Sequence, residues 1–256
     1  MDNANHDAAA CAPVLVVVAG QSNALGYTLG VDDLPPHLRK PVARVQIWDP
    51  ARLTFTPLQA GVNTGSPNNP GNWGLETQFS YRWSQDHPCG DLYVVKYARG
   101  ETGLAADPTD RDWSPSSQGE AWDKATSEVA AAKAVLKGKG LTPRVDAVFW
   151  MQGETDAQDD TKAAAYRQNF TDLVMRIRQR WGDGTTKVYV GQIGRPPGSR
   201  GWEKVREAQA AAATSIPHVG LVDTDPFPRQ PTDGVHFTGS AQVRLGDGFY
   251  EMYRAP

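Results

Sequence analysis

Cysteine is scarce in this sequence, and long apolar runs and a strong excess of one charge are both lacking. Two cysteines, Cys11 and Cys89, occur among 256 residues, too few for a disulfide framework. One bridge between them is possible, but two free thiols are the favoured interpretation. No apolar run reaches the roughly 20 residues of a membrane-spanning helix. The net charge of −3 offers no footprint for nucleic acid or an anionic membrane, so neither partner is expected.

The features of an export signal are also missing from the start of the chain. The first residues read MDNANHDAAACAP, which is polar and acidic, whereas a signal peptide has a basic start and an apolar stretch. Residues 1–13 are therefore predicted to be a polar N-terminal extension, and residues 14–256 a single domain. With no signal peptide evident, the compartment stays open between the cytoplasm and export by a non-classical route.

Apolar, β-branched runs recur along the chain, and helical patterns lie between them. The runs cover 14–19, 42–48, 92–97, 145–151 and 187–193, with a weaker sixth at 219–222. Helical spacing covers 117–137, 161–181 and about 240–253. The strand runs are apolar throughout, which is typical of parallel strands covered on both faces.

This alternation of strands and helices predicts an α/β fold. We expect a three-layer α/β/α sandwich around a mostly parallel, flavodoxin-like five-stranded sheet. The stretches 50–75 and 99–118 are rich in Gly, Pro, Asn, Ser and Asp, and are predicted to be long surface loops of the same domain. In such a sheet, ligands bind beyond the carboxyl ends of the strands. Polar segments with unusual composition lie near those ends, at 20–23, 99–103, 152–156 and 233–237.

Two of these segments contain the residue types of a hydrolytic triad. Ser22 stands where the first strand turns into a helix, where its backbone N–H can stabilise an oxyanion. A serine in this position can equally serve as a helix cap. Asp233 precedes His236 by three residues, and Gly234 between them permits a tight turn. The carboxylate can then hold the Nδ1 proton, which leaves Nε2 free to accept a proton from a serine.

Other hydrolase chemistries have less support. The chain has no G-x-S-x-G elbow and no His-rich spacing of a zinc hydrolase. Asp156, Asp159 and Asp160 could suggest a metal cluster, but they precede a predicted helix, and capping explains most of them. No metal is therefore expected.

The pattern resembles the SGNH hydrolase superfamily, and more narrowly its carbohydrate esterase branch, which includes sialate O-acetylesterases and family 6 acetyl xylan esterases. The resemblance covers nearly the whole chain, with the motifs in the family's order. The residues that carry it are Gly20-Gln21-Ser22-Asn23, Lys96 with Gly100, Trp150-x-Gln152-Gly153-Glu154-x-Asp156, and Asp233-x-x-His236.

The resemblance implies a role for each matched residue. Ser22 would be the nucleophile, His236 the general base and then acid, and Asp233 the residue that orients it. The oxyanion hole would consist of the backbone N–H groups of Ser22 and Gly100 and the side-chain amide of Gln152.

Further residues of the motifs are expected around the triad. Gln21, Asn23 and Glu154 would belong to the supporting and substrate-binding hydrogen-bond network, although Glu154 could simply tie loops together. The family more often has a second glycine where Glu101 stands here.

The expected activity is hydrolysis of a short acyl ester, most often acetate, on a carbohydrate hydroxyl, with no cofactor. Eight tryptophans are compatible with stacking on sugar rings, and Trp73, Trp113 and Trp202 lie in or near loops. Arg195 and Arg200 could grip an acidic sugar. Two alternatives stay open: a lipase or thioesterase of the same superfamily, and a sugar-binding module without catalysis.

Overall fold

A seven-stranded sheet forms the centre of the protein in the computed structural model. The structure describes residues 11–27, 30–66, 68–108, 112–117, 120–142, 144–195 and 197–255. In spatial order the strands run β3-β2-β4-β1-β5-β6-β7, and every neighbouring pair is parallel except β2 with β3. The strands are β1 (Val14–Gly20), β2 (Val45–Asp49), β3 (Thr54–Pro57), β4 (Leu92–Ala98), β5 (Val145–Met151), β6 (Lys187–Gly191) and β7 (Val219–Val222).

Helices connect these strands and cover the sheet. They are α1 (Ser22–Leu25), α2 (Leu75–Asp86), α3 (Glu120–Gly138), α4 (Asp160–Arg180), α5 (Trp202–Ser215) and α6 (Gly239–Arg254). No helix in the described part of the chain is long and apolar enough to cross a membrane.

Two consecutive residues of β5 show how the layers are arranged. Adjacent side chains of a strand point to opposite faces of the sheet. Phe149 packs against Phe79 of α2 and Phe249 of α6, with ring centroids 4.4 and 5.1 Å apart. Trp150 contacts Phe170 of α4 instead. Helices therefore cover both faces, and the predicted three-layer α/β/α architecture is confirmed.

The sheet is larger than the five strands that the sequence predicted. Strands β4-β1-β5-β6-β7 have the flavodoxin-like order, and β2 and β3 extend the sheet beyond β4. The prediction missed β3, because Thr54–Pro57 lies in the stretch 50–75 that was taken as loop. This strand is short, buries only Phe55 and ends in proline, as edge strands often do.

Two helices also went unpredicted, α2 and α5. The inward side of α2 includes the polar residues Glu76, Thr77, Gln78 and Ser80, all buried. Because polar residues occupy buried positions, the apolar periodicity that identifies a helix is weak there. The three predicted helices are present, and the capping of α4 is as expected, since the Asp159 carboxylate accepts from the backbone N–H groups of Thr161 and Lys162.

The interpretation of Cys11 and Cys89 as free thiols was wrong, because the structure joins them in a disulfide. Cys11 precedes β1 and Cys89 precedes β4, and these two strands are neighbours in the sheet. The pairing of β1 with β4 thus brings the two sulfurs together, and composition alone does not show this pairing. Structural disulfides are typical of proteins that mature in an oxidising compartment. Residues 1–10 of the predicted N-terminal extension lie outside the described residues.

The bridge closes a loop of 78 residues, so its removal should destabilise the fold. We expect the Cys89→Ser variant to lose about 2–4 kcal/mol of the free energy of unfolding, because the unfolded chain gains conformational freedom. The ester hydrolysis expected from the resemblance should persist below the unfolding transition, since the bridge lies at the opposite end of β1 from Ser22. Urea denaturation with and without reductant measures the loss. Two titratable thiols in the unreduced native protein would contradict the pairing.

Candidate active site

The loops that follow the three central strands meet at one edge of the sheet. Strand β1 lies between β4 and β5, and beyond it the Arg99 N–H donates to the Gly20 carbonyl, 3.1 Å apart. The Gln21 N–H donates to the carbonyl of Met151 at the end of β5, at 2.9 Å. Gly20 has φ +137°, and a Cβ there would lie 2.1 Å from the Met151 oxygen. Only glycine fits this close approach of the two strand ends.

Ser22 is the first residue of α1, and its side chain does not cap that helix. The N-cap is Gln21, and it makes no side-chain capping hydrogen bond. The Oγ atom of Ser22 lies 2.9 Å from Nε2 of His236. Among the described residues, no acceptor is found for the Ser22 backbone N–H, as expected of the first turn of a helix. The side chain is turned toward the imidazole, and the N–H is available for a ligand.

Asp233 and His236 form a tight turn that orients the imidazole. Oδ2 of Asp233 lies 2.8 Å from Nδ1 of His236. Its Oδ1 accepts from the backbone N–H groups of Val235 and His236, at 2.8 and 2.9 Å. Gly234 has φ +67°, the left-handed conformation that favours glycine, as the sequence predicted. The same carboxylate therefore holds both the ring and the backbone of the histidine.

The carboxyl of Asp233 is held in its ionised form by this turn. Its partial burial acts to raise its pKa, but the hydrogen bonds from the His236 ring and from the backbone of His236 and Val235 outweigh burial and lower the pKa. An ionised carboxylate favours the tautomer that carries its proton on Nδ1, which leaves Nε2 as the acceptor facing Ser22.

Asn23 connects this turn to the segment that contains Ser22. It is 1% exposed, and its Oδ1 accepts from the Phe237 N–H at 3.0 Å. Its Nδ2 donates to Oε1 of Glu154 at 2.8 Å and to the Val235 carbonyl at 3.3 Å. The Asn23 carbonyl accepts from Nε2 of Gln242 on α6. Four hydrogen bonds thus set the position of the histidine relative to the serine.

Gln21 and Glu154 lie next to Asn23, as predicted. Oε1 of Gln21 accepts from the backbone N–H groups of Gly153 and Thr155, at 3.3 and 3.4 Å. Glu154 is 3% exposed, and its Oε2 has no hydrogen-bond partner among the described residues. Burial raises the pKa of this carboxyl, while the Asn23 hydrogen bond and the charge of Arg229 act to lower it.

Gly100 lies beside the serine, in the turn after β4. A Cβ added to Gly100 would lie 3.9 Å from the Ser22 Cβ, and no acceptor of the Gly100 N–H is found in the described part of the chain. The next residue, Glu101, has φ +59°. That left-handed conformation suits glycine far better than glutamate, which accounts for the second glycine common in similar sequences.

The side-chain amide of Gln152 has no proton left to donate to an oxyanion. Its side chain is fully buried, and Nε2 donates to the Thr102 carbonyl at 3.0 Å and to Oδ2 of Asp156 at 2.6 Å. An amide nitrogen has two protons, and both are used. In this arrangement Gln152 positions the loop that contains Gly100, a correction to the expected donor role. The sequence motif could not show which way the buried amide turns.

The three aspartates that suggested a metal have other partners. Asp156 is buried, and it accepts from the N–H groups of Leu104 and Ala105 as well as from Gln152. Asp159 caps α4, and Asp160 pairs with Lys204 at 2.7 Å. Among the described residues, no group of three or more His, Cys, Asp or Glu side chains has a metal-site arrangement.

Lys96 supports the helix that begins with Ser22, a role that the motif alone did not reveal. Its Nζ donates to the carbonyls of Leu25 and Thr64 and to Oε1 of Glu76, all within 3.0 Å. Burial lowers the pKa of this ammonium, and the Glu76 carboxylate acts against that shift. All three donors are used, so this buried pair fixes the last carbonyl of α1 in place.

Sequence reasoning also missed Arg229, which lies behind the turn of Asp233 and His236. Its guanidinium lies 3.7 Å from the ring centroid of Phe237 and donates to Oγ1 of Thr224. Burial lowers the pKa of Arg229 to about 10, and the charge of Glu154 acts to raise it. This arginine has no motif around it, and only the fold places it near Glu154.

The loop after β6 borders the site, as its position predicted. A Cβ added to Gly234 would lie 3.4 Å from Cγ of Pro197 in this loop. The Arg195 guanidinium lies 4.8 Å from the ring centroid of Trp202, and Arg200 is exposed.

A partly buried set of Asp, His and Ser side chains at the carboxyl edge of a parallel sheet has the geometry of the triad that serine hydrolases use. Comparison with protein families gives the narrower assignment. The chain belongs to the carbohydrate esterase family described as sialic acid-specific acetylesterase, whose model matches residues 13–255. It is accordingly a carboxylic ester hydrolase.

Individual relatives share the fold. The probable carbohydrate esterase At4g34215 of Arabidopsis thaliana is 32% identical over 109 residues, which is 43% of this chain and 40% of that protein. Its crystal structure matches with a TM-score of 0.73 and 20% identity, covering 94% of this chain and 98% of that one. NanS matches with a TM-score of 0.68 and 17% identity, covering 95% and 97% of the two chains.

A third structure, the carbohydrate acetylesterase XAC1771 of Xanthomonas citri, has a TM-score of 0.61 and 20% identity. It covers 94% of this chain and 56% of that protein.

The buried Glu154 predicts a specific pH dependence of stability. The pKa of Glu154 is higher in the folded protein than in the unfolded chain. The contribution of this carboxyl to the free energy of unfolding is therefore fully present below the unfolded pKa, and it is lost as the pH rises through the folded pKa. We therefore expect Glu154→Gln to gain stability relative to the wild type as the pH rises from about 4 toward neutrality. The amide keeps an oxygen to accept from Asn23. Urea denaturation of both proteins across this pH range measures the difference between their free energies of unfolding. A difference that does not change with pH would contradict the raised pKa of Glu154.

Proposed function

We propose that this protein is a serine esterase that removes short acyl groups, chiefly acetyl, from the hydroxyls of a carbohydrate. The observation that carries the proposal is the unbroken set of contacts from Asp233 through His236 to Ser22, with 2.8 Å and 2.9 Å between the heavy atoms. Gly100 lies beside Ser22, and no acceptor is found among the described residues for the backbone N–H of either residue.

The reaction follows from these contacts in two steps. Oγ of Ser22 attacks the acyl carbon while Nε2 of His236 takes its proton, and the N–H groups of Ser22 and Gly100 stabilise the oxyanion. The bond to the alcohol then breaks, and the proton passes from Nε2 to the leaving oxygen. Water, deprotonated by His236, attacks the acyl-enzyme and releases the acid.

A carbohydrate ester is the substrate class that the family membership supports. The family description names sialic acid-specific acetylesterases, and the match extends over residues 13–255. One of the similar structures is that of a protein named as a carbohydrate acetylesterase. An acetylated carbohydrate is accordingly the proposed substrate of this chain, and the reaction uses no cofactor.

Replacing the nucleophile or its orienting acid should separate catalysis from binding. We expect Ser22→Ala to reduce kcat/KM by about 10⁴- to 10⁶-fold, and Asp233→Asn by about 10⁴-fold because the wrong imidazole tautomer is favoured. Acetate release from acetylated xylan, O-acetylated sialic acids and bacterial glycans measures both. The exposed Ser215, which bonds only to its own helix, provides the matched control Ser215→Ala.

Three outcomes would overturn the proposal. Equal acetate release by the wild type and Ser22→Ala would exclude this mechanism. Faster hydrolysis of the octanoyl than of the acetyl p-nitrophenyl ester would favour a lipase or thioesterase, and sugar binding without turnover of any acetyl ester would indicate a binding module.

The backbone of Gly100 offers a direct test of the oxyanion hole. Gly100→Ala keeps the N–H, and its methyl group would meet Ser22 only at ordinary contact distance, so we expect activity close to the wild type. Gly100→Pro removes the N–H and should lower kcat by about 10²- to 10³-fold. Thermal unfolding of both variants checks the fold. Equal activity of the two variants would exclude Gly100 as a donor.

A further inference from the structure

The side chain of Tyr27 lies directly against the imidazole of His236. Their ring centroids are 4.6 Å apart, and the ring planes are tilted by 39°. Tyr27 follows α1, and its backbone N–H donates to the Ser22 carbonyl at 3.1 Å. The same short segment therefore contains the serine and an aromatic ring that contacts the base.

Tyr27 is more exposed than a packing role requires. It is 40% exposed, and the other large apolar side chains of the described residues with comparable exposure are aliphatic or methionine. No hydrogen bond of its hydroxyl is found within the described ranges, whereas a buried tyrosine hydroxyl normally has a partner. A partly exposed aromatic ring and an available hydroxyl together are suited to a ligand that is apolar on one side and polar at its edge.

The chemistry of the reaction decides which part of the substrate lies beside Tyr27. His236 must give its proton to the oxygen of the departing alcohol, so that oxygen lies within hydrogen-bond reach of Nε2. The acyl oxygen lies instead at the N–H groups of Ser22 and Gly100. The alcohol portion of the ester is thus next to the imidazole, on which the tyrosine ring packs.

We propose that Tyr27 forms the subsite for the sugar ring of the leaving alcohol, and that it determines the preference for sugar esters over simple alkyl esters. One face of a pyranose presents C–H groups that pack on an aromatic ring, and a sugar hydroxyl can bond to the tyrosine hydroxyl. This inference rests on the proposed function, because it assigns the part of the site that holds the alcohol.

The tryptophans that the sequence offered for sugar stacking are less suited to this role. Trp73 and Trp113 are fully buried, so no ligand reaches their rings. One face of the Trp202 ring is occupied by the guanidinium of Arg195, and no contact of this ring with Ser22 or His236 is found among the described residues. Stacking on a sugar ring is therefore assigned to Tyr27 and not to one of these tryptophans.

The proposal is tested by comparing sugar and alkyl acetates. The substrates are 2-O-acetyl methyl β-D-xylopyranoside, 9-O-acetyl-N-acetylneuraminate and ethyl acetate, which contains no ring. We expect Tyr27→Ala to lower kcat/KM for the better sugar about 3- to 10-fold more than for ethyl acetate, mainly through KM. Tyr27→Phe keeps the ring and should lose less kcat/KM for the sugar ester, because only the hydrogen bond of the hydroxyl is removed.

A matched control is available at Tyr81, which contacts His37 in a similar way, with ring centroids 4.8 Å apart. Tyr81→Ala should lower the activity on both substrate classes to the same extent or not at all. The proposal is overturned if Tyr27→Ala affects sugar and ethyl acetate equally, since a ring that only positions His236 acts on every ester. An unchanged kcat/KM for the sugar would also overturn it.

The failure of the wider proposal has a different signature. If Ser22→Ala hydrolyses ethyl acetate as fast as the wild type, the serine mechanism itself is wrong. If the wild type hydrolyses ethyl acetate through Ser22 but neither sugar ester, the esterase stands and the sugar subsite is overturned. The pH profile of kcat/KM gives a further check, because a subsite role leaves the apparent pKa of the base unchanged in Tyr27→Ala.

Discussion

The hydrogen bonds of Asn23 hold the first and last parts of the chain together, and the site depends on them. The serine follows the first strand, and the histidine lies 214 residues later. Local structure alone cannot bring two residues this far apart in the sequence into contact. Asn23 accepts from the Phe237 backbone and donates to the Val235 carbonyl, on either side of the histidine. Because Asn23 directly follows Ser22, its hydrogen bonds set the distance between Ser22 and His236 within one short, buried segment.

Buried charged groups surround this segment, and hydrogen bonds offset the free-energy cost of burying their charges. The ammonium of Lys96 has three acceptors, and the carboxylate of Asp156 has three donors. Removing one partner of such a group leaves an uncompensated charge inside the protein, which is far more destabilising than the pair is stabilising. These groups hold the last carbonyl of α1 and the loop after β4. The backbone around the serine is thereby fixed before a substrate arrives.

The motifs of the sequence were sufficient to predict which residues come together. Each polar segment follows a strand, and parallel strands in this class of sheet end at one edge. The geometry of Gln152 shows where this reasoning stops. Its position in the motif suggested an oxyanion donor, yet its amide donates to Thr102 and Asp156. Side-chain direction in a buried network depends on every partner at once, and a linear motif records none of them.

The amino-acid sequence alone determined the alternation of strands and helices, the polar segments at the strand ends, and the Asp-Gly-x-His turn, because each is a local pattern. Only the tertiary structure decided that Cys11 and Cys89 pair, that Thr54–Pro57 joins the sheet as an antiparallel edge, and that Tyr27 packs on His236. The disulfide and the contact of Tyr27 with His236 join segments far apart in the chain, whereas β3 pairs with the neighbouring strand β2. The free energy of such contacts depends on packing in three dimensions, which composition and spacing do not encode residue by residue.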